Sequence, residues 1–314
     1  MQRLNLSPSL EISRIIYGMW RLDSDQNKST NHINNKINLC LNQGITTFDQ
    51  AAVYGGYSSE ALFGKVIKSN SSLRNKLEIV SKCGIINPSD RYPSVSNSYY
   101  DTSREHLIES VEFSLKNLCT DYLDLLLIHR QDPLMNHFET GDALDALIES
   151  GKVKEVGVSN FRPHDYSLLQ SAMKNKLVTN QIEISLAATQ GFTNGDIAYH
   201  QERSTNLMAW SPLGGGSLMT DEGILGKTLS KIAEMHDVDK SAVATAWIMA
   251  HPAKICPIIG TNNLDRISKI ADAMKVKMNK ELWLSSILQL IKQRKKNGDF
   301  HNSMQFWRNS YQFN

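Results

Sequence analysis

The stretch GITTFDQAAVYG at residues 44–55 decides the fold, because an apolar, strand-like run ends there at Asp49. A phenol, Tyr54, follows in a loop bounded by glycines. Two later runs also end in polar residues, since LEIVSK closes at Lys82 and LDLLLIH closes at His129. Barrel and open α/β enzymes build their sites from polar groups presented where strands end. The stretch therefore predicts an α/β protein with an active site at one edge of its strands.

Strand-like runs alternate with helical patterns along most of the chain. The predicted strands span residues 14–17, 46–49, 77–81, 123–128, 155–158, 180–184, 207–210 and 255–258. The predicted helices, with apolar residues three and four apart, span residues 35–43, 59–68, 102–117, 142–149, 163–173, 225–236, 240–250 and 264–274. A further helix is expected somewhere within residues 193–203. This order predicts a (β/α)8 TIM barrel. A doubly wound sheet would need a glycine-rich turn after its first strand, where GMWRL stands instead.

The two ends of the chain extend this barrel. Residues 1–13 predict a β-hairpin, with strands at 4–6 and 10–12, that caps the bottom of a barrel formed by residues 14–274. Residues 275–314 hold an additional C-terminal helix at 280–291 and a polar tail with scattered aromatic side chains. We expect residues 1–314 to form a single domain.

Composition excludes several classes of protein. Lys plus Arg number 34 and Asp plus Glu number 32, so the net charge is only +2. This near balance lacks the strong excess of positive charge that is typical of nucleic-acid-binding proteins. No apolar run approaches the roughly 18 residues that span a bilayer, and the N-terminus lacks the apolar core of a secretory signal. The 4 cysteines are scattered without a Cys-x-x-Cys pair, which predicts no metal site and a reduced, cytoplasmic protein. No interface signature stands out, so we expect a monomer.

The four polar residues have complementary chemistry. A free tyrosine has a pKa of about 10, and a neighbouring ammonium such as that of Lys82 lowers it. Asp49 can pair with Lys82, and His129 can donate a hydrogen bond to an oxygen on which charge develops. Taken alone, each residue is more often a turn residue, part of a surface ion pair or a structural hydrogen-bonding group, by roughly 3 to 1. Together they supply what reduction of a carbonyl needs, except the hydride, which must come from a cofactor.

The stretch resembles the signature of the aldo-keto reductase family, and four more blocks match that family in order. These blocks are GVSNF at 157–161, NQIEIS at 180–185, AWSPLGGG at 209–216 and PIIGTNNLDRI at 257–267. The resemblance runs from about Gly18 to Met274. It implies that Asp49, Tyr54, Lys82 and His129 form the catalytic tetrad, and that Trp20, Tyr54 and His129 line the substrate pocket.

The resemblance also implies NADPH as cofactor, bound without a Rossmann fold. Ser159, Asn160 and Gln181 would hold the carboxamide, Trp210 would stack on the nicotinamide, and the loop from Ser211 would hold the pyrophosphate. A helix N-terminus with Arg266 would bind the 2′-phosphate and favour NADPH over NADH. The full implied set is Gly18, Met19, Asp49, Ser159, Asn160, Gln181, Trp210, Ser211, Pro212, Leu213, Gly214, Gly215, Gly216, Gly260, Thr261, Asn262, Asn263 and Arg266.

Two functions stay open on these grounds. The first is an NADPH-dependent oxidoreductase that reduces an aldehyde or ketone, with Tyr54 as the proton donor. The second is an NADPH-binding regulatory or redox-sensing protein that resembles the auxiliary subunits of potassium channels, since a cofactor site does not require fast turnover. Gln50 and Ile184 differ from many relatives near the expected site. The aromatic loop at 84–101 is a candidate lid.

Overall fold

The computed structural model describes residues 1–297, with side chains through Gln293. Its strands are β1 (Arg3–Asn5), β2 (Glu11–Ser13), β3 (Ile16–Gly18), β4 (Thr47–Asp49), β5 (Glu78–Cys83), β6 (Ile85–Ile86), β7 (Tyr99–Tyr100), β8 (Leu123–Ile128), β9 (Val153–Ser159), β10 (Leu177–Glu183), β11 (Asn206–Trp210) and β12 (Cys256–Ile259). Its helices are α1 (Thr30–Leu41), α2 (Ser59–Ser69), α3 (Arg104–Leu118), α4 (His137–Glu149), α5 (Pro163–Gln170), α6 (Asp196–Glu202), α7 (Ser217–Thr220), α8 (Ile224–His236), α9 (Lys240–Met249), α10 (Leu264–Ile267) and α11 (Lys280–Asn297).

Eight parallel strands form one closed barrel, in the order β10-β11-β12-β3-β4-β5-β8-β9. The predicted (β/α)8 architecture is confirmed. The predicted extra helix is α11, whereas the tail after Asn297 lies outside the described residues.

Several helices differ from their predicted bounds, and two of the differences are instructive. Helix α1 begins at Thr30, ahead of the predicted residue 35, because the Ser29 side chain accepts a hydrogen bond from the backbone N–H of His32 and caps it. The predicted helix at 264–274 is two elements. Helix α10 ends at Ile267, and a 3-10 helix follows at Ile270–Lys275.

The described chain divides into two compact units. The first unit comprises residues 1–182 and 260–268, and the second comprises residues 183–259 and those from 269 onward. The expectation of a single domain stays a prediction.

The predicted N-terminal hairpin is present in the first unit. Strands β1 and β2 pair antiparallel, with Leu4 opposite Ile12. The Arg3 guanidinium lies 2.9 Å from the Glu78 carboxylate at the start of β5, and 3.0 Å from that of Glu11. These ion pairs hold the hairpin at the end of the strands that is opposite the polar residues.

The aromatic loop at 84–101 has structure of its own. Strands β6 and β7 pair antiparallel across its base, with Ile85 opposite Tyr100 and Ile86 opposite Tyr99. Both tyrosines are exposed. A role as a lid stays a prediction.

Helices α2 and α3 meet where only glycine fits. A Cβ added at Gly64 would lie 1.9 Å from the backbone oxygen of Asn117, far inside any van der Waals contact. The glycine in ALFGKV therefore allows the close approach of two helices that flank β5.

Two tryptophans join α9 to α11 in the second unit. Their rings stack with centroids 4.9 Å apart at an interplanar angle of 6°. The indole N–H of Trp247 donates to the carbonyl of Trp283 at 3.1 Å, and that of Trp283 donates to the carbonyl of Trp247 at 2.9 Å. The edge of Phe192 packs on both rings. The C-terminal helix is thus anchored by burial and by two reciprocal hydrogen bonds.

We expect Trp283→Ala to lower the free energy of unfolding by about 3 kcal/mol, because it removes the stack and leaves a cavity beside the fully buried Trp247. Urea unfolding followed by far-UV circular dichroism measures this loss. Trp20→Ala is the matched control, since Trp20 lies 62% exposed. Equal midpoints for the two variants would contradict the anchoring role of the pair.

Candidate active site

Strand register brings the polar strand ends of the first unit to one edge. Asp49 pairs with Val80 across β4 and β5, and Cys83 pairs with Ile128 across β5 and β8. Because the strands are parallel, their carboxyl ends meet at the same edge. Asp49, Lys82 and His129 therefore approach one another there.

Lys82 is the centre of this cluster. Its ammonium donates to the Asp49 carboxylate at 2.6 Å, to the backbone carbonyl of Gln50 at 2.8 Å and to the Tyr54 hydroxyl at 3.1 Å. These three acceptors match the three N–H donors of an ammonium. Lys82 is 1% exposed and Asp49 is 3% exposed, so the charge pair is buried and fully hydrogen-bonded.

Lys82 stays protonated in this setting. Burial lowers the pKa of its ammonium, but Asp49 and Tyr54 raise it by more, and the net direction is upward. An opposite charge and hydrogen bonds to the charged form outweigh desolvation.

The Tyr54 phenol behaves differently from the sequence-based expectation. Burial raises its pKa, Lys82 lowers it and Asp49 raises it, and the result lies above the ordinary value for tyrosine. The lysine does stabilise the phenolate, as expected, but desolvation of the phenol is the larger effect. Tyr54 is therefore a neutral phenol near pH 7.

His129 faces Tyr54 edge to face, with ring centroids 5.8 Å apart at 75°. Burial, followed by the positive charges of Lys82 and Arg130, holds the pKa of its imidazole well below the usual range. Two hydrogen bonds fix the backbone of His129: its backbone N–H donates to the Cys83 carbonyl, and its backbone carbonyl accepts from the side-chain amide of Asn160. His129 is thus a neutral imidazole beside a neutral phenol.

The residues expected to hold a carboxamide are connected to this cluster. The Gln181 side chain donates to the second carboxylate oxygen of Asp49 at 2.8 Å. The Ser159 hydroxyl donates to the Gln181 carbonyl and accepts from the Asn160 amide, each at 2.9 Å. Sequence reasoning missed the link from Gln181 to Asp49, because no local pattern indicates a contact between residues so far apart in the chain.

Strand β3 ends at Gly18, and Met19 follows it beside the same cluster. The Met19 N–H donates to the Asp49 carbonyl at 3.0 Å, and the Gln50 side-chain amide donates to the Met19 sulfur at 3.0 Å. Met19 and Gln50 are both buried. A Cβ on Gly260 would lie 3.1 Å from the Gly18 carbonyl, so these two backbones pass closely.

The turn that opens α10 is held by buried side chains of the first unit. The Asn263 side chain accepts from the Arg266 N–H at 3.0 Å and caps the helix. The side chain of Asn262 accepts from the buried Lys36 ammonium at 2.8 Å and donates to the Arg21 carbonyl at 2.6 Å. The Thr261 carbonyl accepts from the Tyr17 hydroxyl at 2.7 Å, and Arg266 is exposed.

The second unit carries the loop after β11. Strand β11 ends at Trp210, and the chain then passes through Ser211, Pro212 and Leu213 into a 3-10 turn at Gly214–Gly216. All three glycines have positive φ, and a Cβ on Gly215 or Gly216 would meet nothing within 4 Å. This open, left-handed turn has the character of anion-binding loops, which favour glycine.

Trp20 stands apart from the buried cluster. It is 62% exposed, and the Arg21 guanidinium lies 5.2 Å from its ring centroid. Its assignment to the substrate pocket stays a prediction.

Glu60 is a buried carboxyl that sequence reasoning treated only as part of a helix start. Its side chain is 1% exposed and accepts a hydrogen bond from the Ser81 hydroxyl at 2.6 Å. Burial raises its pKa to about 7, against smaller opposing effects of hydrogen bonds from Ser81 and Ser114 and of the Lys82 and Arg91 charges. It lies behind the strand that carries Lys82.

Within residues 1–297, no group of acidic, histidine or cysteine side chains is arranged to hold a metal ion. In the same part of the chain, no helix is both long enough and apolar enough to cross a bilayer.

The comparisons with known proteins agree on one family. The family model described as "Aldo/keto reductase family" matches residues 14–285. A 6-dehydroglucose reductase of Agrobacterium fabrum is 57% identical over 286 residues, covering 90% of this chain and 96% of that protein. A second 6-dehydroglucose reductase, from Novosphingobium aromaticivorans, is 34% identical over 289 residues, covering 89% and 92%. The crystal structure of a thermostable aldo-keto reductase with the inhibitor epalrestat matches with a TM-score of 0.79 at 26% identity, covering 92% of this chain and 100% of that one.

We expect Glu60→Gln to change how stability depends on pH. A carboxyl whose pKa rises on folding from 4.5 to about 7 stabilises the protein below pH 4.5 and loses that contribution as pH rises through 7. The glutamine keeps the hydrogen bond from Ser81 but cannot ionise. The free energy of unfolding of the variant minus that of wild type should therefore rise by roughly 3 kcal/mol between pH 5 and pH 8.5. Urea unfolding at both pH values measures the gain. The exposed Glu222→Gln is the control, and a constant difference between Glu60→Gln and wild type would contradict the prediction.

Proposed function

The chain belongs to the aldo/keto reductase family, and from this premise we propose that it reduces an aldehyde or ketone to an alcohol with NADPH. The observation that carries the proposal is the hydrogen bond from the buried Lys82 ammonium to the Tyr54 hydroxyl. It places a proton donor against a fixed positive charge at the edge where the strands end.

Tyr54 acts as the general acid in this proposal. Its phenol is neutral near pH 7, so it holds the proton that the carbonyl oxygen must receive. The phenolate left behind accepts hydrogen bonding from the Lys82 ammonium, which stays charged because Asp49 holds it. Asp49 fixes the lysine and does not itself exchange a proton.

His129 acts as a neutral hydrogen-bond donor to the carbonyl oxygen. Its depressed pKa leaves one N–H on the ring without a net charge. A donor aimed at the oxygen on which negative charge develops stabilises the transition state more than the ground state. His129 thereby orients the carbonyl toward Tyr54.

The residues of the implied cofactor site fit a nicotinamide dinucleotide phosphate. NADPH, when bound, supplies the hydride. Ser159, Asn160 and Gln181 present hydroxyl and amide groups of the kind that read a carboxamide, and the open turn at Gly214–Gly216 suits a pyrophosphate. Trp210 provides an aromatic face that can stack, and the exposed Arg266 provides a guanidinium for the 2′-phosphate.

We propose 6-dehydroglucose as the substrate. Two relatives bear the name 6-dehydroglucose reductase, and one of them is 57% identical over nearly the full length of both chains. In this reaction the carbonyl carbon receives a hydride, the oxygen receives the Tyr54 proton, and the product is the corresponding alcohol. We also propose that the protein is cytoplasmic, on the strength of its scattered cysteines, and monomeric, since no interface signature stands out in the sequence.

Tyr54→Phe should abolish reduction of 6-dehydroglucose while NADPH still binds, because the proton donor is removed and the residues proposed to hold NADPH are unchanged. NADPH oxidation followed at 340 nm and NADPH binding followed by fluorescence titration measure the two effects. The control is Tyr99→Phe, on an exposed tyrosine of β7. Unchanged turnover in Tyr54→Phe refutes the mechanism, whereas tight NADPH binding by a wild-type protein that reduces no carbonyl favours the regulatory function.

Arg266→Met should raise the KM for NADPH by about 10- to 100-fold and leave the KM for NADH unchanged, because the lost guanidinium would contact only the 2′-phosphate. Steady-state kinetics with both cofactors measure the ratio. Arg104→Met, on the exposed surface of α3, is the matched control. An equal rise in both KM values would show that Arg266 does not read the 2′-phosphate.

A further inference from the structure

Lys36 is a buried lysine of α1 that the proposed mechanism does not use. Its side chain is 0% exposed. Its ammonium donates to the carboxylate of Asp25, at the end of the loop at residues 19–25 that follows β3, and to the side-chain oxygen of Asn262 at 2.8 Å. Burial of an ammonium is costly unless an opposite charge and hydrogen bonds compensate for it. The fold therefore keeps a costly group where it contacts Asn262, a residue of the implied cofactor site.

The side chain of Asn262 joins this ammonium to the backbone of the loop at residues 19–25. Its amide donates to the Arg21 carbonyl at 2.6 Å. In return, the Arg21 guanidinium donates to the Gly260 carbonyl at 3.3 Å. The loop and the turn at residues 260–263 thus hold each other in both directions, and the buried ammonium is bound to both of them.

Arg266 lies in the short helix α10, between two further points of attachment. On one side, the Tyr17 hydroxyl donates to the Thr261 carbonyl at 2.7 Å. On the other side, the Gln43 side chain of α1 donates to the Ile267 carbonyl at 2.8 Å. Because the turn leads directly into α10, the position of the turn sets the position of the Arg266 backbone.

We propose that Lys36 is a positioning residue that holds the turn at residues 260–263 and the loop at residues 19–25 together, in the arrangement that receives the 2′-phosphate of NADPH. The proposal rests on the proposed use of NADPH and deepens it. Asp25 balances the charge of the ammonium, so the ammonium serves to hold its partners in place rather than to attract the phosphate. A turn that is held before the cofactor binds loses less conformational freedom on binding. NADH lacks the 2′-phosphate and should gain less from this arrangement.

Lys36→Met tests this role, because methionine fills much of the same space and lacks the charge and the hydrogen bonds. We expect the Kd for NADPH to rise by about 10-fold and the Kd for NADH to rise by a smaller factor. Fluorescence titration of the full-length protein with each cofactor measures both constants. The variant leaves the Asp25 carboxylate without its lysine, which lowers stability. If Lys36→Met does not fold, the double variant Lys36→Met/Asp25→Asn removes that charge and should show the same change in both Kd values.

Asn262→Leu shows whether Lys36 acts through Asn262. Leucine keeps the approximate size of the side chain and removes its hydrogen bonds to the ammonium and to the Arg21 carbonyl. Effects of residues in one hydrogen-bond network are not additive. Adding Lys36→Met to Asn262→Leu should therefore raise the Kd for NADPH no further, and a further rise as large as that in Lys36→Met alone would overturn the link.

Arg74→Met is the matched control, because Arg74 is also buried and lies 2.8 Å from the carboxylate of Asp124. It donates to the carbonyls of Leu77 and Tyr122, each at 2.9 Å, at the amino-terminal ends of β5 and β8 and hence at the opposite end of these strands from the tetrad. This variant should lower the free energy of unfolding and leave the Kd for NADPH unchanged.

The outcomes separate the role of Lys36 from the proposed function. Unchanged NADPH binding by a folded Lys36→Met protein overturns the role of Lys36 and leaves the reductase function standing. Equal rises for NADPH and NADH, or an equal rise in Arg74→Met, also overturn it, because the effect would then be a general loss of structure. Failure of the wild type to bind NADPH refutes the proposed use of NADPH, and the role of Lys36 with it.

Discussion

The site depends on one constraint, which is that the Lys82 ammonium is buried and must keep all three of its hydrogen bonds. An unpaired ammonium in the interior would cost several kcal/mol, so the surrounding groups are placed by the need to satisfy it. Asp49 supplies the opposite charge, the Gln50 carbonyl supplies the second acceptor and Tyr54 supplies the third. The phenol that the mechanism needs is therefore held by the same bonds that make the buried charge tolerable.

This constraint extends outward through Asp49. Its second carboxylate oxygen accepts a hydrogen bond from the Gln181 side chain. The backbone carbonyl of Gln181 accepts one from the Ser159 hydroxyl, and that hydroxyl accepts one from the side-chain amide of Asn160. Asn160 also donates to the His129 carbonyl, so the chain of hydrogen bonds returns to the tetrad. A change at any of these residues would shift the groups that orient a carbonyl as well as those proposed to hold the carboxamide.

The sequence predicts the barrel and the placing of Asp49, Lys82 and His129, because apolar runs that end in a polar residue mark the carboxyl ends of parallel strands. It does not predict the links between distant segments, such as Gln181 with Asp49, Arg3 with Glu78 or Trp247 with Trp283. Those contacts depend on three-dimensional register and leave no local pattern. The charge of Lys82 alone predicts a lowered pKa for Tyr54, whereas desolvation gives the net rise, because burial cannot be read from a short stretch of sequence.

The arrangement of charge explains why a raised pKa of Tyr54 suits a reductase. In the proposed mechanism a general acid must hold its proton until the carbonyl oxygen takes it, so a neutral Tyr54 is the reactant that the step requires. The cationic Lys82 would stabilise the phenolate left on Tyr54, whereas Asp49 holds the lysine in place and opposes that phenolate with its own charge. Glu60, whose pKa of about 7 leaves it only partly ionised near pH 7, adds less negative charge behind Lys82 than an ordinary carboxylate would. In the proposed mechanism, the buried Lys82 ammonium is thus the fixed positive charge that favours the oxyanion-like transition state over the neutral carbonyl.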